Sequence, residues 1–162
     1  NAFITNMICT VIEKICNIKT QIKWPNDILI NKEKISGIIS EIFSIDNDKY
    51  INIGFGVNIV SCPKIENYPT TNINKYNIEI NNLNFVYKMM EEYFNNYKQL
   101  QNNHEIIMSE YKSRLLYLGD KINLKIDDQN IKHGVFHNLN SDGSITLKNN
   151  FNFEYVYNAR II

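Results

Sequence analysis

The sequence predicts an α+β fold, in which an antiparallel or mixed sheet carries helices on one face and a small all-β unit follows. Three observations predict it. An apolar helical repeat opens the chain, three β-branched runs with polar turns come next, and short strands dominate after residue 117. With 162 residues, 44% of them hydrophobic, the chain can form a sizeable core. The predicted domains are residues 1–117 and residues 118–162.

The first predicted element is an amphipathic helix over residues 3–16. Its apolar residues recur three and four positions apart, at Phe3, Ile4, Met7, Ile8, Val11, Ile12 and Ile15. One apolar face results, and a sheet is needed to cover it. Cys9 and Cys16 lie on the same pattern, and we interpret them as small core residues. Together with Cys62 they follow no metal-binding spacing, so we expect reduced thiols.

Three strands are predicted to form an antiparallel meander. They are residues 21–30, 35–45 and 50–60, separated by the polar turns 31–34 and 46–49. The first is broken by a turn at Pro25, because proline cannot donate to a strand ladder. The second is a β-branched run, for which we expect a mostly buried strand.

The remainder of the chain is predicted as a loop over 61–82, two helices over 83–100 and 104–116, and the small all-β unit. The apolar stripe of the first of these helices is predicted to be core; it consists of Leu83, Val86, Tyr87, Met90, Tyr93, Phe94 and Tyr97. The strands of the last unit are predicted at 121–126, 131–140, 144–149 and 153–158, a pattern typical of a small barrel.

Composition excludes several classes of function. Lys plus Arg and Asp plus Glu both number 17, and this balance argues against general nucleic-acid binding. No apolar run is long enough to cross a bilayer, and no secretory signal opens the chain. The odd number of cysteines fits reduced thiols, and we therefore expect a cytoplasmic protein. His133 and His137 lie four apart on one predicted strand, but no third ligand is nearby, and no metal site is predicted.

The stretch KWPNDILINKEKISGIISEI, residues 23–42, contains a predicted hairpin. The question is whether this hairpin is only a buried structural element or also forms a ligand site. Each residue taken singly has an ordinary structural explanation, such as turn chemistry or a solvated lysine. The combination favours a site, because Gly37 interrupts an Ile-rich strand beside Lys34, and Gly54 and Gly56 repeat this pattern on the next strand. Such a glycine floor with a lysine suits an anionic small ligand, a phosphate or a carboxylate.

The segments KWPND, KISGIISE and INIGFGVNI, in this order and spacing, resemble the biotin protein ligase family. The resemblance extends over the whole chain. It implies the class II synthetase-like biotin ligase fold, with an SH3-like barrel over residues 118–162. It further implies ATP-dependent attachment of biotin, through biotinyl-5′-AMP, to one lysine of a biotin carboxyl carrier domain of a carboxylase. ATP, biotin and Mg²⁺ are the implied ligands.

The resemblance also implies roles for individual residues. Lys34 matches the lysine that contacts the biotin carboxylate and the activated phosphoryl group, and Asp27 matches the KWPND aspartate; these two are the candidate catalytic residues. Trp24 and Pro25 are expected to hold the turn rather than touch ligand. The candidate substrate-binding residues are Lys23, Asn26, Gly37, Ile38, Gly54, Gly56 and Asn58, of which the last is expected near adenine.

The family's biotin-binding Thr-Thr-Asn segment and Gly-Arg-rich loop are expected upstream of the first helix, and no GRGR sequence occurs here. We therefore expect a piece of a ligase that is inactive alone. The alternative is a non-catalytic fragment or paralogue that acts as a partner-binding or dimerisation module, and members of the family often dimerise through the sheet. A lipoate-type acyltransferase is disfavoured by the KWPND element, and a nucleic-acid role of the barrel by its lack of a stacking platform.

Overall fold

A computed structural model describes residues 1–76, 78–98, 103–150 and 152–162. The helices are α1 (Ala2–Cys16), α2 (Asn82–Asn96) and α3 (His104–Ser113), with a 3-10 turn at Ile73–Tyr76. The strands are β1 (Gln21–Lys23), β2 (Asp27–Ile30), β3 (Glu33–Ile45), β4 (Asp48–Val57), β5 (Lys121–Lys125), β6 (Ile131–Leu139), β7 (Ile145–Asn149), β8 (Asn152–Val156) and β9 (Arg160–Ile161). The predicted α+β class is confirmed.

The N-terminal sheet is an antiparallel meander in the order β1-β2-β3-β4, as predicted. Two-residue turns, Asn31-Lys32 and Asp46-Asn47, connect β2 to β3 and β3 to β4. All four turn residues have positive φ, between 48° and 73°. Tight hairpin turns of this kind match the right-handed twist of the strands and favour Asn and Asp. The turns thus fix the hairpin register from local sequence.

Helix α1 is the central helix of the core. Most of its residues are buried, because it packs against α2 and α3 as well as contributing to the cluster formed with the strand residues Ile22, Ile28 and Ile30. It ends at Cys16, since Asn17 adopts a left-handed conformation with φ 53°. Cys9 and Cys16 are buried, which confirms them as core residues.

The third helix ends earlier than predicted, at Ser113 rather than residue 116. The reason is a competing backbone partner. The Ile22 N–H donates to the Arg114 carbonyl at 2.8 Å, and the Leu116 N–H donates to the Ile22 carbonyl at 2.8 Å. Residues 114–116 are therefore held beside β1 instead of continuing the helix.

The C-terminal sheet is antiparallel in the order β8-β7-β6-β5-β9. Its inward side chains, such as Leu124, Phe136 and Ile145, join the same hydrophobic cluster as the first sheet. The strands follow the predicted ones closely, with β9 added at the end. The SH3-like barrel and the division at residues 117 and 118 stay predictions.

Two burial predictions are wrong. The apolar stripe of α2, which runs from Leu83 to Tyr97, is 39–63% exposed, and the helix buries Phe85 and Met89 instead. The second half of β3, residues 41–45, is exposed, although the whole strand was expected to be mostly buried. Apolar periodicity indicates that a face can be covered, but in the described residues these faces stay largely exposed, and Tyr93 makes an edge contact with Phe3 of α1. The predicted helix end at 99–100 lies outside the described residues.

No helix in the described part of the chain is both long and apolar enough to cross a bilayer.

Candidate active site

A cavity of about 590 Å³ lies on the N-terminal sheet, between the turn that follows β1, the start of β3, the end of β4 and the loop after β4. Eight of the nine predicted site residues line it; they are Asn26, Asp27, Lys34, Gly37, Ile38, Gly54, Gly56 and Asn58. The loop contributes Pro63, Ile65 and Thr70. Lys23 lies outside the cavity lining. The roles assigned to these residues stay predictions.

Asp27 and Lys34 form an ion pair because the β2–β3 ladder contains a bulge. Asp27 pairs with Gly37, whereas Leu29 pairs with Lys34, so β3 holds one extra residue at this point. The bulge turns the Lys34 side chain to the same face as Gly37 and Asp27. The Lys34 Nζ lies 2.5 Å from the Asp27 Oδ1, and both side chains are largely shielded from solvent.

Gly37 lies directly against this ion pair. A Cβ at position 37 would lie 3.1 Å from the Lys34 Nζ and 3.6 Å from the Asp27 Oδ1. A side chain here would therefore shift the lysine ammonium by a few tenths of an ångström. The group nearest to Gly37 is thus a side chain of the same chain, and the predicted approach of a ligand at Gly37 stays a prediction.

Gly54 and Gly56 form the open floor of the cavity. Gly56 pairs with Gly37, and Gly54 pairs with Ile39, so the glycines follow one face of the β3–β4 ribbon. A Cβ at Gly54 or Gly56 would meet no atom within 4 Å. Their lack of a side chain leaves room above the sheet for a flat ligand.

Two asparagines hold the walls of the cavity to the sheet. The Asn26 Nδ2 donates to the Ile38 carbonyl at 2.8 Å, and the Ile38 N–H donates to the Asn26 carbonyl at 3.0 Å. The Asn58 Nδ2 donates to the Thr71 carbonyl at 2.9 Å. The amide nitrogen of Asn58 thus secures the loop, and its predicted place near adenine stays a prediction.

Trp24 is a buried anchor beside the site, as expected. Its side chain is 3% exposed, and its Nε1 donates to the carbonyl of Gly143, in the turn before β7, at 3.0 Å. The next residue, Pro25, follows a cis peptide bond, and its carbonyl accepts a hydrogen bond from the Tyr111 hydroxyl at 3.0 Å. The turn between β1 and β2 is therefore attached both to α3 and to the C-terminal sheet.

A second group of residues lies behind the ion pair, and sequence reasoning missed two of its members. The Tyr68 hydroxyl donates to the Asp27 Oδ2. Three cations surround the Tyr68 ring: the Lys23 Nζ at 5.0 Å, the Lys34 Nζ at 5.7 Å and the Arg160 Cζ at 5.9 Å from its centroid. Neither Tyr68, in an irregular loop, nor Arg160, on the last strand, belongs to any periodic pattern that could have identified it.

Burial and charge shift the pKa values of two of these groups. Burial lowers the pKa of Lys23, and the positive charges of Arg160 and Lys34 lower it further, against the opposing charge of Asp27. Burial also raises the pKa of Tyr68, and its hydrogen bond to Asp27 raises it further. Tyr68 therefore keeps its proton, and remains a donor to Asp27, throughout the neutral range.

The described residues offer no dedicated metal site. In residues 1–76, 78–98, 103–150 and 152–162, no three His, Cys, Asp or Glu side chains are grouped to hold a metal ion. Asp27 is the one carboxylate that lines the cavity among these residues, and Lys34 and Tyr68 occupy both its oxygens. What the site provides is positive charge above an open glycine floor, an arrangement suited to an anionic ligand.

Comparison with known sequences supports the family resemblance. Residues 2–58 match the biotin/lipoate A/B protein ligase family. A biotin–[acetyl-CoA-carboxylase] ligase of Mycobacterium tuberculosis is 21% identical over 130 residues, which are 80% of this chain and 47% of that protein. The bifunctional ligase/repressor BirA of Bacillus subtilis is 45% identical over 53 residues, which are 32% of this chain and 16% of that protein. The chain thus spans less than half of either relative.

Solved structures show the same fold. The apo biotin protein ligase of Aquifex aeolicus superposes with a TM-score of 0.81 at 19% identity, and the match covers 99% of this chain and 72% of that one. The same enzyme in complex with biotin and ATP gives a TM-score of 0.79 at 19% identity, over 99% of this chain and 68% of that one. The sheets and helices of the described residues therefore lie in an arrangement already known from solved structures.

Proposed function

Because this chain matches the biotin/lipoate A/B protein ligase family over residues 2–58 and has the fold of biotin protein ligases, we propose that it is part of a biotin–[acetyl-CoA-carboxylase] ligase. The reaction joins the biotin carboxylate to the α-phosphorus of ATP, releases pyrophosphate and gives biotinyl-5′-AMP. The biotinyl group then passes to a lysine of a biotin carboxyl carrier domain, and AMP is released.

The observation that carries the proposal is the Asp27–Lys34 pair above the floor of Gly37, Gly54 and Gly56. A ligand laid along this floor would place an anionic group beside the Lys34 ammonium, at the edge where β2 and β3 pair. The cavity is also large enough for a small molecule of this kind, at about 590 Å³.

Lys34 would act on the charge that develops during adenylation. The biotin carboxylate attacks the α-phosphorus of ATP, and negative charge accumulates on the phosphoryl oxygens while pyrophosphate departs. A fixed ammonium beside these oxygens stabilises that charge more than it stabilises the ground state. Since Gly37 leaves space for the lysine to move, Lys34 can exchange its Asp27 partner for the ligand.

Asp27 would serve the second step. The incoming carrier lysine attacks as a neutral amine and must lose a proton. Asp27 lies on the cavity wall next to Lys34, where it can orient that amine and accept the proton. Mg²⁺ has no carboxylate cluster to hold it among the described residues, so any Mg²⁺ would rely on the phosphates of ATP, and we assign it no residue here.

Calorimetric titration of the 162-residue chain with biotinyl-5′-AMP, and separately with biotin, tests the proposal. We expect the adenylate to bind, and Lys34→Gln to weaken this binding at least tenfold, because a charge-assisted hydrogen bond contributes about 1.5–3 kcal/mol. Lys49→Gln is the matched control. Lys49 is an exposed lysine near the far end of the same β3–β4 ribbon, and its loss should leave the affinity unchanged.

Absence of adenylate binding by a folded chain would overturn the proposal for this chain alone, and so would equal affinities for the wild type and Lys34→Gln. Circular dichroism and a melting curve establish folding in each case. Binding that Lys34→Gln and Lys49→Gln weaken equally would also count against the assigned role, since it would reflect net charge.

A second candidate, a partner-binding or dimerisation module, is favoured by the exposed apolar stripe of α2 and the exposed half of the β3–β4 ribbon. Ile42 and Ile51 are 72% and 60% exposed. Surfaces of this kind mark interaction sites in soluble proteins. Sedimentation equilibrium together with the adenylate titration distinguishes the candidates. A folded chain that self-associates but binds no biotinyl-5′-AMP would support the module.

A further inference from the structure

We propose that Tyr68 and Arg160 are positioning residues that act on the cavity through Asp27 and Lys34. They form a layer behind the ion pair, which joins the loop after β4 and the last strand of the C-terminal sheet to the site. The effect of these residues on a ligand rests on the proposed function, whereas the contacts that join them to Asp27 and Lys34 do not.

Tyr68 determines which oxygen of Asp27 remains available. Its hydroxyl donates to the Asp27 Oδ2, while the Lys34 Nζ lies 2.5 Å from the Oδ1. With the Oδ2 already paired, the carboxylate retains a partner when Lys34 turns to a ligand. Without Tyr68, a largely buried carboxylate would depend on Lys34 alone, and would hold the lysine more firmly.

The backbone next to Tyr68 is fixed directly to Lys34. The Lys34 N–H donates to the Pro69 carbonyl at 2.8 Å, and the Thr71 N–H donates to the Lys34 carbonyl at 2.9 Å. These bonds make a short parallel bridge between Lys34 and Thr70. The segment that carries Tyr68 is thus held beside Asp27 by backbone hydrogen bonds to Lys34.

Arg160 connects the C-terminal sheet to this layer. It lies on β9, paired with Lys125 of β5, and its guanidinium is 5.9 Å from the centre of the Tyr68 ring. Lys23 is 5.0 Å from the same ring centre. A cation within about 6 Å of an aromatic face is attracted to it. Two cations from different parts of the chain therefore hold the ring that orients Asp27.

Among the described residues, the cavity is lined by Asp27 and Lys34 but not by Tyr68, Lys23 or Arg160. A ligand in the cavity would meet the ion pair first. This placement makes Tyr68 and Arg160 positioning residues, since their effect on a ligand must pass through Asp27 or Lys34.

The test is the acetylation rate of Lys34 in the full chain, measured by mass spectrometry with N-hydroxysuccinimidyl acetate and expressed relative to exposed Lys49. We expect Tyr68→Phe to lower this ratio about threefold, because the freed carboxylate oxygen also binds the Lys34 ammonium and holds it away from the reagent. Arg160→Gln should lower it about twofold, and Arg160→Lys, which keeps the cation, should restore it.

Tyr155→Phe is the matched control. Tyr155 is 61% exposed on β8, and its hydroxyl should not influence Lys34. An unchanged Lys34 ratio in a folded Tyr68→Phe protein would overturn the inference. If Tyr68→Phe fails to fold, the Arg160 variants provide the test, because Arg160 is exposed and its replacement should not prevent folding. Equal Lys34 ratios in Arg160→Gln and Arg160→Lys would then overturn the inference.

Biotinyl-5′-AMP titration of the same variants separates this inference from the proposed function. When the wild type binds, Tyr68→Phe should weaken binding about fivefold, in line with a firmer Asp27–Lys34 pair. A wild type that binds no adenylate, but whose Lys34 ratio falls in Tyr68→Phe, would reject the proposed function for this chain and retain the positioning role.

Discussion

The two halves of the β3–β4 ribbon have the same pairing and opposite surroundings. Around Gly37 and Gly56 the ribbon is covered by the loop after β4 and floors the cavity. Around the Ile42–Ile51 pair, the side chains are 72% and 60% exposed. Yet the register runs unbroken from Ser36 opposite Val57 to Ile45 opposite Asp48.

The difference shows that pairing and burial have separate causes in this ribbon. The Asp46-Asn47 turn and the backbone ladder set the register over the whole length. Burial arises only where other elements reach the strands, as residues 63–71 do near Lys34. The site is therefore built at the half of the ribbon that has neighbours, and substitutions in the two halves should have unequal effects.

Trp24→Ala should have the largest effect on stability. Loss of the buried indole and of its hydrogen bond to Gly143 should lower the free energy of unfolding by about 3–5 kcal/mol. In the exposed half of the ribbon, Phe43→Ala removes a stacked contact with Tyr50 and should lower it by less than about 1.5 kcal/mol. Urea denaturation of both variants checks the comparison, and equal losses would show that the exposed half is packed as firmly as the turn beside the site.

Gly37→Ala should reduce ligand affinity with little change in stability. The new methyl group would lie 3.1 Å from the Lys34 Nζ and shift the ammonium. A shifted ammonium loses much of its charge-assisted hydrogen bond to the ligand, which contributes about 1.5–3 kcal/mol, so we expect roughly tenfold weaker binding of biotinyl-5′-AMP. Gly54→Ala adds a methyl group to open space and should weaken binding less. A calorimetric ranking in the reverse order would contradict the assigned importance of Lys34.

Asn58→Ala should destabilise the covered half alone. It removes the hydrogen bond from the Nδ2 to the Thr71 carbonyl, for an expected loss of about 1 kcal/mol. Asn52→Ala, at an exposed position opposite Glu41, should change stability by less than about 0.5 kcal/mol. Thermal melting of the two variants gives the comparison, and a harmless Asn58→Ala would show that the loop is held by other contacts.

Ile42→Thr combined with Ile51→Thr should have the smallest effect on stability. Both side chains are exposed and both replacements are β-branched, so we expect a change within about 1 kcal/mol together with weaker self-association. Ile38→Thr, at a position that is 1% exposed, is the contrasting control and should cost more than about 2 kcal/mol. Similar losses of stability in the two proteins would mean that Ile42 and Ile51 are covered in solution.

Much of this arrangement could be predicted from the sequence, because local signals specify it. The helical repeat at residues 3–16, the paired polar turns and the glycine-interrupted strands each carry their own periodicity or turn chemistry. The burial of the α2 stripe was predicted wrongly, because periodicity identifies an apolar face but not whether another element packs against it. The bulge that brings Lys34 to Asp27 was not predicted, since an extra residue leaves no mark in the pattern of apolar residues.

Tyr68 and Arg160 illustrate what sequence reasoning could not reach. Tyr68 lies in a loop rich in Pro and Asn, and Arg160 is 92 positions away on a two-residue strand. Only the folding of both sheets against each other brings them together. Contacts of this range depend on the global arrangement of elements, and a single sequence gives no direct sign of them.

The bond from Trp24 to Gly143 joins residues that are 119 positions apart, and it has a consequence for biosynthesis. A ribosome that adds about 5–20 residues per second needs on the order of ten seconds to pass from one to the other. During that interval the KWPND turn has been synthesised, but the Gly143 carbonyl that accepts from its indole N–H has not. Codon changes that slow translation between these positions should therefore lengthen the period in which the nascent hairpin is open to proteolysis.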